Sequence, residues 1–276
     1  MPILGAIGGA SSRGLGQFNG NRTSPIAGYH LWLDADNASS FTYSSGSVVS
    51  QWTDRSSNAF TFTTATTSNQ PGRTGTKNGK ATVVFDGTND YLKSTAPAST
   101  WKYLHDSSGS TIFVVLKINE TATATTQKPE ALSTVNGGPG FSLRIDEYFS
   151  PISIEAVVDD GVSGTYCNNS KEVPNTEYNI YTYKIDPNNA TNSNKLVAYQ
   201  NNGSALAPDF VYNWTAASTA DPSSTLLLGT GSDAGLIGSP EYVFAGEFAE
   251  IITYKSLLSD SDIVANINYL KAKWGI

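Results

Sequence analysis

Between Tyr29 and Tyr254 apolar and polar positions alternate in short runs, and each run is closed by Gly, Pro, Asn, Asp or Ser. YHLWLDA, VVSQW, AFTFTTA, KATVVFD, DYLKS, STIFVVLKI, FSLRI, ISIEAVV, YNIYTYKI, KLVAYQ, FVYNW, TLLLGT and YVFAGEFAEIITY are thirteen such runs, rich in β-branched and aromatic residues. No stretch of helical period separates them. This excludes a parallel α/β sheet and predicts an antiparallel sandwich or barrel. FDGTNDYL and YQNNGSAL place Asp-Gly and Asn-Gly between runs, where a positive φ lets the chain reverse tightly.

The pattern changes at both ends. In LSDSDIVANINYLKAKWGI, Ser259 is placed to cap a helix, with Asp262 three residues on. Ile263, Ile267, Leu270 and Trp274 then form one apolar stripe, which predicts packing on the sheets, and Gly275 ends the helix. Residues 1–28 show no period, and the first 24 carry six glycines. A segment of that kind buries too little to offset its chain entropy. It is expected to be an extended N-terminal arm ordered by a neighbouring subunit through Ile3, Leu4, Ile7, Leu15 and Phe18. The domain proper is then 29–276.

Composition removes several classes of function. Seventeen Lys and Arg against 24 Asp and Glu give a net charge of −7, and no basic cluster appears, so no nucleic-acid partner is expected. No run approaches the length of a membrane span. The N-terminus lacks the basic and apolar regions of a secretory signal, so the chain is expected to be made in a cytoplasm and kept whole. Cys167 is single, which rules out an internal disulfide, and its neighbours offer no base to activate it.

LWLDADN, VSQWTDRSSN, KATVVFDGTNDYL, STIFVVLK, KLVAYQNNG and FAGEFAEIITYKSLLSDSDIVANINYLKAKWGI, in this order, resemble the concanavalin A-like (laminin G-like) superfamily in the form found in bacteriophage virion proteins. The closing segment, Gly-Glu-x-x-Glu followed by a helix ending Tyr-Leu-x-x-Lys-Trp-Gly, is its most specific part. The resemblance implies an all-β, antiparallel jelly-roll sandwich with a short C-terminal helix. It does not imply one activity, because such folds host glycan binders, protein binders, glycanases and inert domains.

The glycanases of that superfamily carry paired carboxylates as Glu-x-Asp-x-x-Glu, one to attack or assist and one to protonate the leaving group. Asp34/Asp36, Asp86/Asp90, Asp146/Glu147, Asp159/Asp160, Glu247/Glu250 and Asp260/Asp262 do not reproduce it. Glu247 and Glu250, three apart on a strand, are expected on opposite faces unless a bulge intervenes. No catalytic residue and no metal ligand is therefore assigned. Ca2+ is common in the superfamily, and Asp34, Asp36, Asp86, Asp90 and Asp233 are the available carboxylates, but turn capping accounts for them without an ion.

GGASSRGLG at 8–16, Asn188-Asn189-Ala190 and the Tyr269/Lys273 spacing imitate a short-chain dehydrogenase. FNGNRTSP after the glycines cannot propagate the helix that such a phosphate turn must open, and no βαβ unit follows. For glycan contact the expected residues are aromatic: Trp101, Tyr148, Tyr166 and Trp214.

These features together point to a non-enzymatic virion protein, a capsid decoration or tail-associated component. It is expected to be made in a bacterial cytoplasm, present in many copies or as a homo-oligomer, and anchored by its arm to other virion proteins. A receptor-binding module for a host surface glycan is the alternative, and a glycan hydrolase fragment the second.

Overall fold

The computed structural model describes residues 22–120, 128–135, 138–146, 151–162, 166–172, 176–201, 205–212, 214, 217–231 and 242–276. The five arm residues from Ile3 to Phe18 lie outside this set, as does Tyr148. The strands are β1 (Leu31–Asp34), β2 (Phe41–Ser45), β3 (Val48–Thr53), β4 (Thr61–Thr63), β5 (Gly72–Lys77), β6 (Lys80–Asp86), β7 (Leu92–Ser94), β8 (Ser110–Ile118), β9 (Glu130–Ser133) and β10 (Gly140–Asp146). They continue as β11 (Ser153–Asp159), β12 (Tyr166–Glu172), β13 (Tyr178–Ile185), β14 (Leu196–Gln200), β15 (Phe210–Tyr212), β16 (Leu227–Leu228) and β17 (Ala245–Tyr254), before the helix α1 (Asp260–Trp274).

β17 organises the first layer. It pairs along its length with β8, and its other edge takes β6 over the first half and β1 over the second, all antiparallel. β13 and β14 extend the layer beyond β8, and β5 extends it beyond β6. The second layer runs β2–β3–β4–β7–β16–β9–β10–β11–β12–β15. One bridge, Val48 to Gly72, joins the layers at an edge, so the ladder is continuous through seventeen strands. Alternation sends Trp52, Phe62, Phe85, Phe141, Tyr181, Tyr183 and Phe248 between the layers, where they form the main core. Cys167 is buried there, and burial pushes its thiol up to about 12.

Four strands are not among the thirteen runs read from sequence: FTYSS, GRTGTK, EALS and YCNNSKE, which are β2, β5, β9 and β12. Each lacks a strong apolar alternation. β12 nevertheless registers with β11 over seven pairs, because the partner's free edge, rather than side-chain propensity, holds it in place.

α1 agrees with the sequence at both ends. The Ser259 hydroxyl accepts from the Asp262 N–H, and Gly275 takes the left-handed φ of 64° that closes the last turn. Its stripe packs on the outer face of the first layer, against Trp32, Phe113, Val115, Ile180 and Ile252, as a second core. Trp274 is completely buried. Trp274→Ala is expected to cost about 3–5 kcal/mol in chemical denaturation, as large core truncations do. An unchanged midpoint would show the helix to be peripheral.

Candidate functional site

Beneath α1 lies a carboxylate that the strand pattern alone does not predict. Ladder pairing between β17 and β8 runs Phe248 to Leu116 and then Glu250 to Val115, so Ala249 is an extra residue in β17. This bulge reverses the expected alternation, and Glu247 and Glu250 both face α1's side of the sheet instead of diverging.

Glu250 has no solvent exposure. Its Oε1 accepts from Trp32 Nε1 at 2.6 Å and Tyr269 Oη at 2.8 Å, and its Oε2 accepts from Lys273 Nζ and Trp274 Nε1, each at 2.8 Å. Burial pushes its pKa up and Lys273 opposes that. All four contacts are donors, which is the arrangement of an ionised carboxylate.

Lys273 Nζ also lies 2.7 Å from Asp34 Oδ1, and Arg55 pairs with Asp34 Oδ2 while its guanidinium sits 3.9 Å from the centre of the Trp32 ring. Asp54 takes the Trp32 backbone N–H at 2.6 Å. Tyr269 and Lys273, whose spacing imitates a dehydrogenase, are thus two arms of a structural clasp one helical turn apart.

Over this clasp opens a pocket of about 370 Å³ lined by Arg22, Thr23, Asp34, Asp36, Lys80, Tyr269, Ala272 and Lys273. Asp36 Oδ2 lies 3.2 Å from Lys80 Nζ, and Asp36 Oδ1 accepts from the Ala81 N–H at 3.3 Å. Arg22 is held by main-chain oxygens, Nε on Ser24 and Nη2 on Pro25, and pairs with no carboxylate among the described residues. Three cations face two carboxylates here, in a chain whose net charge is −7.

A second charged group lies on the outer side of the other layer. Glu130, Arg144 and Glu155 stand opposite one another across β9, β10 and β11. Burial would raise Glu155, but Arg144 Nε at 2.7 Å and Lys128 Nζ at 2.9 Å hold it down to about 2, and Asn168 Nδ2 takes its other oxygen. Burial pushes Glu130 up to about 7, with Ser133 and Arg144 opposing. Its Oε2 is buried and meets no donor.

Two carboxylates with pKa values pushed apart suggest an acid and a nucleophile. Neither is available here: both Glu155 oxygens are taken, and Glu130 Oε2 is closed off. Glu247 is occupied likewise, by Thr82 Oγ1 at 2.7 Å, Lys117 Nζ at 2.9 Å and the Tyr178 hydroxyl.

Two of the four aromatic residues expected to meet glycan, Trp101 and Trp214, require correction. Trp101 is fully buried with its Nε1 donating to Thr225 Oγ1 at 2.9 Å, and Trp214 is 4% exposed with the Lys195 ammonium over its ring. Neither shows a ring face to solvent, because both fill the space between the layers. Tyr166 begins β12, and its side chain lies outside the described residues. Asp86 accepts from the Thr88 and Asn89 N–H groups, and Asp90 accepts from the Asp86 N–H, so both cap their turn. Asp34 and Asp36 are paired with cations, and Asp233 is outside the described residues. Among the described residues no three His, Cys, Asp or Glu side chains gather as a metal set.

The folded pKa of Glu130 lies above its ordinary 4.5, so the native state holds that proton more firmly. Its carboxyl therefore weakens the fold progressively as pH rises from about 4.5 to about 7. Glu130→Gln removes that titration. Denaturant midpoints are expected to show the variant gaining on the parent between pH 5 and pH 8, and a pH-independent difference contradicts this.

No known family's sequence profile matches the chain, and no curated protein sequence matches it. Among solved structures, the binding domain of botulinum neurotoxin serotype D is similar at a TM-score of 0.56 and 12% identity, over 87% of this chain and 50% of that one. The binding domain of botulinum neurotoxin DC in complex with SialylT is similar at 0.50 and 10%, over 88% and 52%. The CBM40 of Ruminococcus gnavus IT-sialidase, bound to α2,3-sialyllactose, reaches 0.48 at 17% identity, over 67% of this chain and 94% of that one. The chain thus spans about half the length of the neurotoxin chains it matches. At such identities the likeness is one of fold, and the fold is an antiparallel β-sandwich with a short C-terminal helix.

Proposed function

We propose that this chain is a non-catalytic, glycan-binding module whose ligand is a saccharide bearing a carboxylate. The observation that carries this is the pocket over the clasp. It has the volume of a small-ligand site, and its walls are rigid because Asp34, Tyr269 and Lys273 are already fixed by Glu250 and Arg55. Arg22 and Lys80 at the rim supply donors for an anionic group, while the Asp36 carboxylate and the Thr23 hydroxyl suit sugar hydroxyls. The neurotoxin binding domain in complex with SialylT shares the fold and supports the ligand class only as an analogy.

The non-catalytic part of the reading rests on Glu155, Glu247 and Glu250, whose oxygens are taken up by donors, and on Glu130, whose Oε2 is buried. Display on a virion belongs to the same proposal. It rests on the glycine-rich residues 1–24 and on the resemblance to bacteriophage proteins, and labelling intact particles with an antibody to this chain tests it separately.

Calorimetric titration of the purified chain with sialic- and uronic-acid saccharides tests the binding, with an assay for new reducing ends alongside. Lys80→Ala is expected to weaken binding about tenfold, or 1.4 kcal/mol, with no cleavage by either protein. Cleavage, or binding indifferent to Lys80, overturns the reading.

A further inference from the structure

The pocket does not stand alone on its side of the molecule. Asp36, one of its walls, is tied through the backbone to Arg73 on β5: the Arg73 Nε donates to the Ala35 carbonyl at 2.7 Å and its Nη2 to the Asp36 carbonyl at 3.2 Å. The same guanidinium lies 5.2 Å from the centre of the Phe41 ring. Phe41 in turn stacks on Tyr43, with ring centres 6.1 Å apart and planes 20° from parallel. Phe41 also stacks on the buried Trp52, with ring centres 5.2 Å apart.

This makes a continuous ladder from the core outward, and Tyr43 is its outermost rung. At 36%, Tyr43 is the most exposed aromatic side chain among the described residues. A ring stacked on Phe41 and still partly exposed is restrained before any ligand arrives. Ser44 and Gln70 stand beside it, joined by a hydrogen bond of 2.5 Å, and bring hydroxyl and amide groups to the same edge of β2.

We infer that the site is extended: the carboxylated unit of a saccharide occupies the pocket, and a following unit of the same chain lies over Arg73 with its apolar face on Tyr43. The ligand class is therefore an acidic oligosaccharide rather than a single acidic sugar. This rests on the pocket reading and adds a subsite to it.

The test titrates wild type, Tyr43→Ala, Tyr43→Phe and Lys80→Ala with four probes: glucuronic acid, N-acetylneuraminic acid, and a trisaccharide terminating in each. Thermal melting confirms that the variants are folded. The expected result is about a tenfold loss of trisaccharide affinity in Tyr43→Ala, no loss for the monosaccharides, and retention by Tyr43→Phe, which keeps the ring. Wild-type trisaccharide binding by Tyr43→Ala overturns the inference and leaves the pocket reading standing, provided Lys80→Ala still weakens all bound probes. Binding of none of the probes by the wild type overturns both.

Discussion

The molecule depends on one buried carboxylate. Glu250 gathers four donors from β1 and α1, and it can do so only because an extra residue in β17 turns it toward the helix. Burying a charge of this kind is expensive unless its partners are complete, and removing a partner commonly costs about 3–5 kcal/mol. The arrangement therefore fixes where α1 lies, which face β1 presents, and how Asp34, Lys273 and Arg55 alternate in sign beside it. Segments far apart in sequence, LWLDADN, WTDRSSN, GEFAE and YLKAKWG, meet in this cluster. It gives a physical reason for their appearing together.

Much of the architecture was legible because it follows from local rules. Thirteen strands announced themselves through β-branched and aromatic runs, and α1 through its cap, stripe and terminal glycine. β2, β5, β9 and β12 did not, since their residues are polar and their pairing comes from neighbours. The site was less legible. A bulge has no signature in period-two alternation, so Glu247 and Glu250 were expected to diverge and instead share a face. Glu130 and Glu155 are separated by 24 intervening positions and meet only through the registers of β9, β10 and β11; the one local signal is a glutamate between apolar neighbours in ISIEAVV. Trp101 and Trp214 fall next to turn residues in sequence, yet the inter-layer space needed large side chains there.

Rigidity and recognition are linked through the same residues. A pocket whose charged walls are already hydrogen-bonded loses little entropy when a ligand arrives, whereas flexible surface lysines do. The clasp holds Tyr269 and Lys273 from below, and the 35–36 turn is held by Arg73 and Ala81 from the side. The second charged group, on β9 to β11, is by contrast closed upon itself: its ion pairs satisfy Glu155 and leave Glu130 to titrate near neutrality within the sheet. One cluster thus presents an opening to solvent and the other holds strands together.

The most direct measurement follows the two indole Nε1–H signals bonded to Glu250, those of Trp32 and Trp274, by proton–nitrogen NMR during titration with an acidic trisaccharide. The account predicts that both shift together with the backbone signals of Thr23, Asp36 and Lys80, because ligand in the pocket perturbs Lys273 and, through it, Glu250. Ligand-induced shifts confined to β9–β12, with the two indoles unmoved, contradict it.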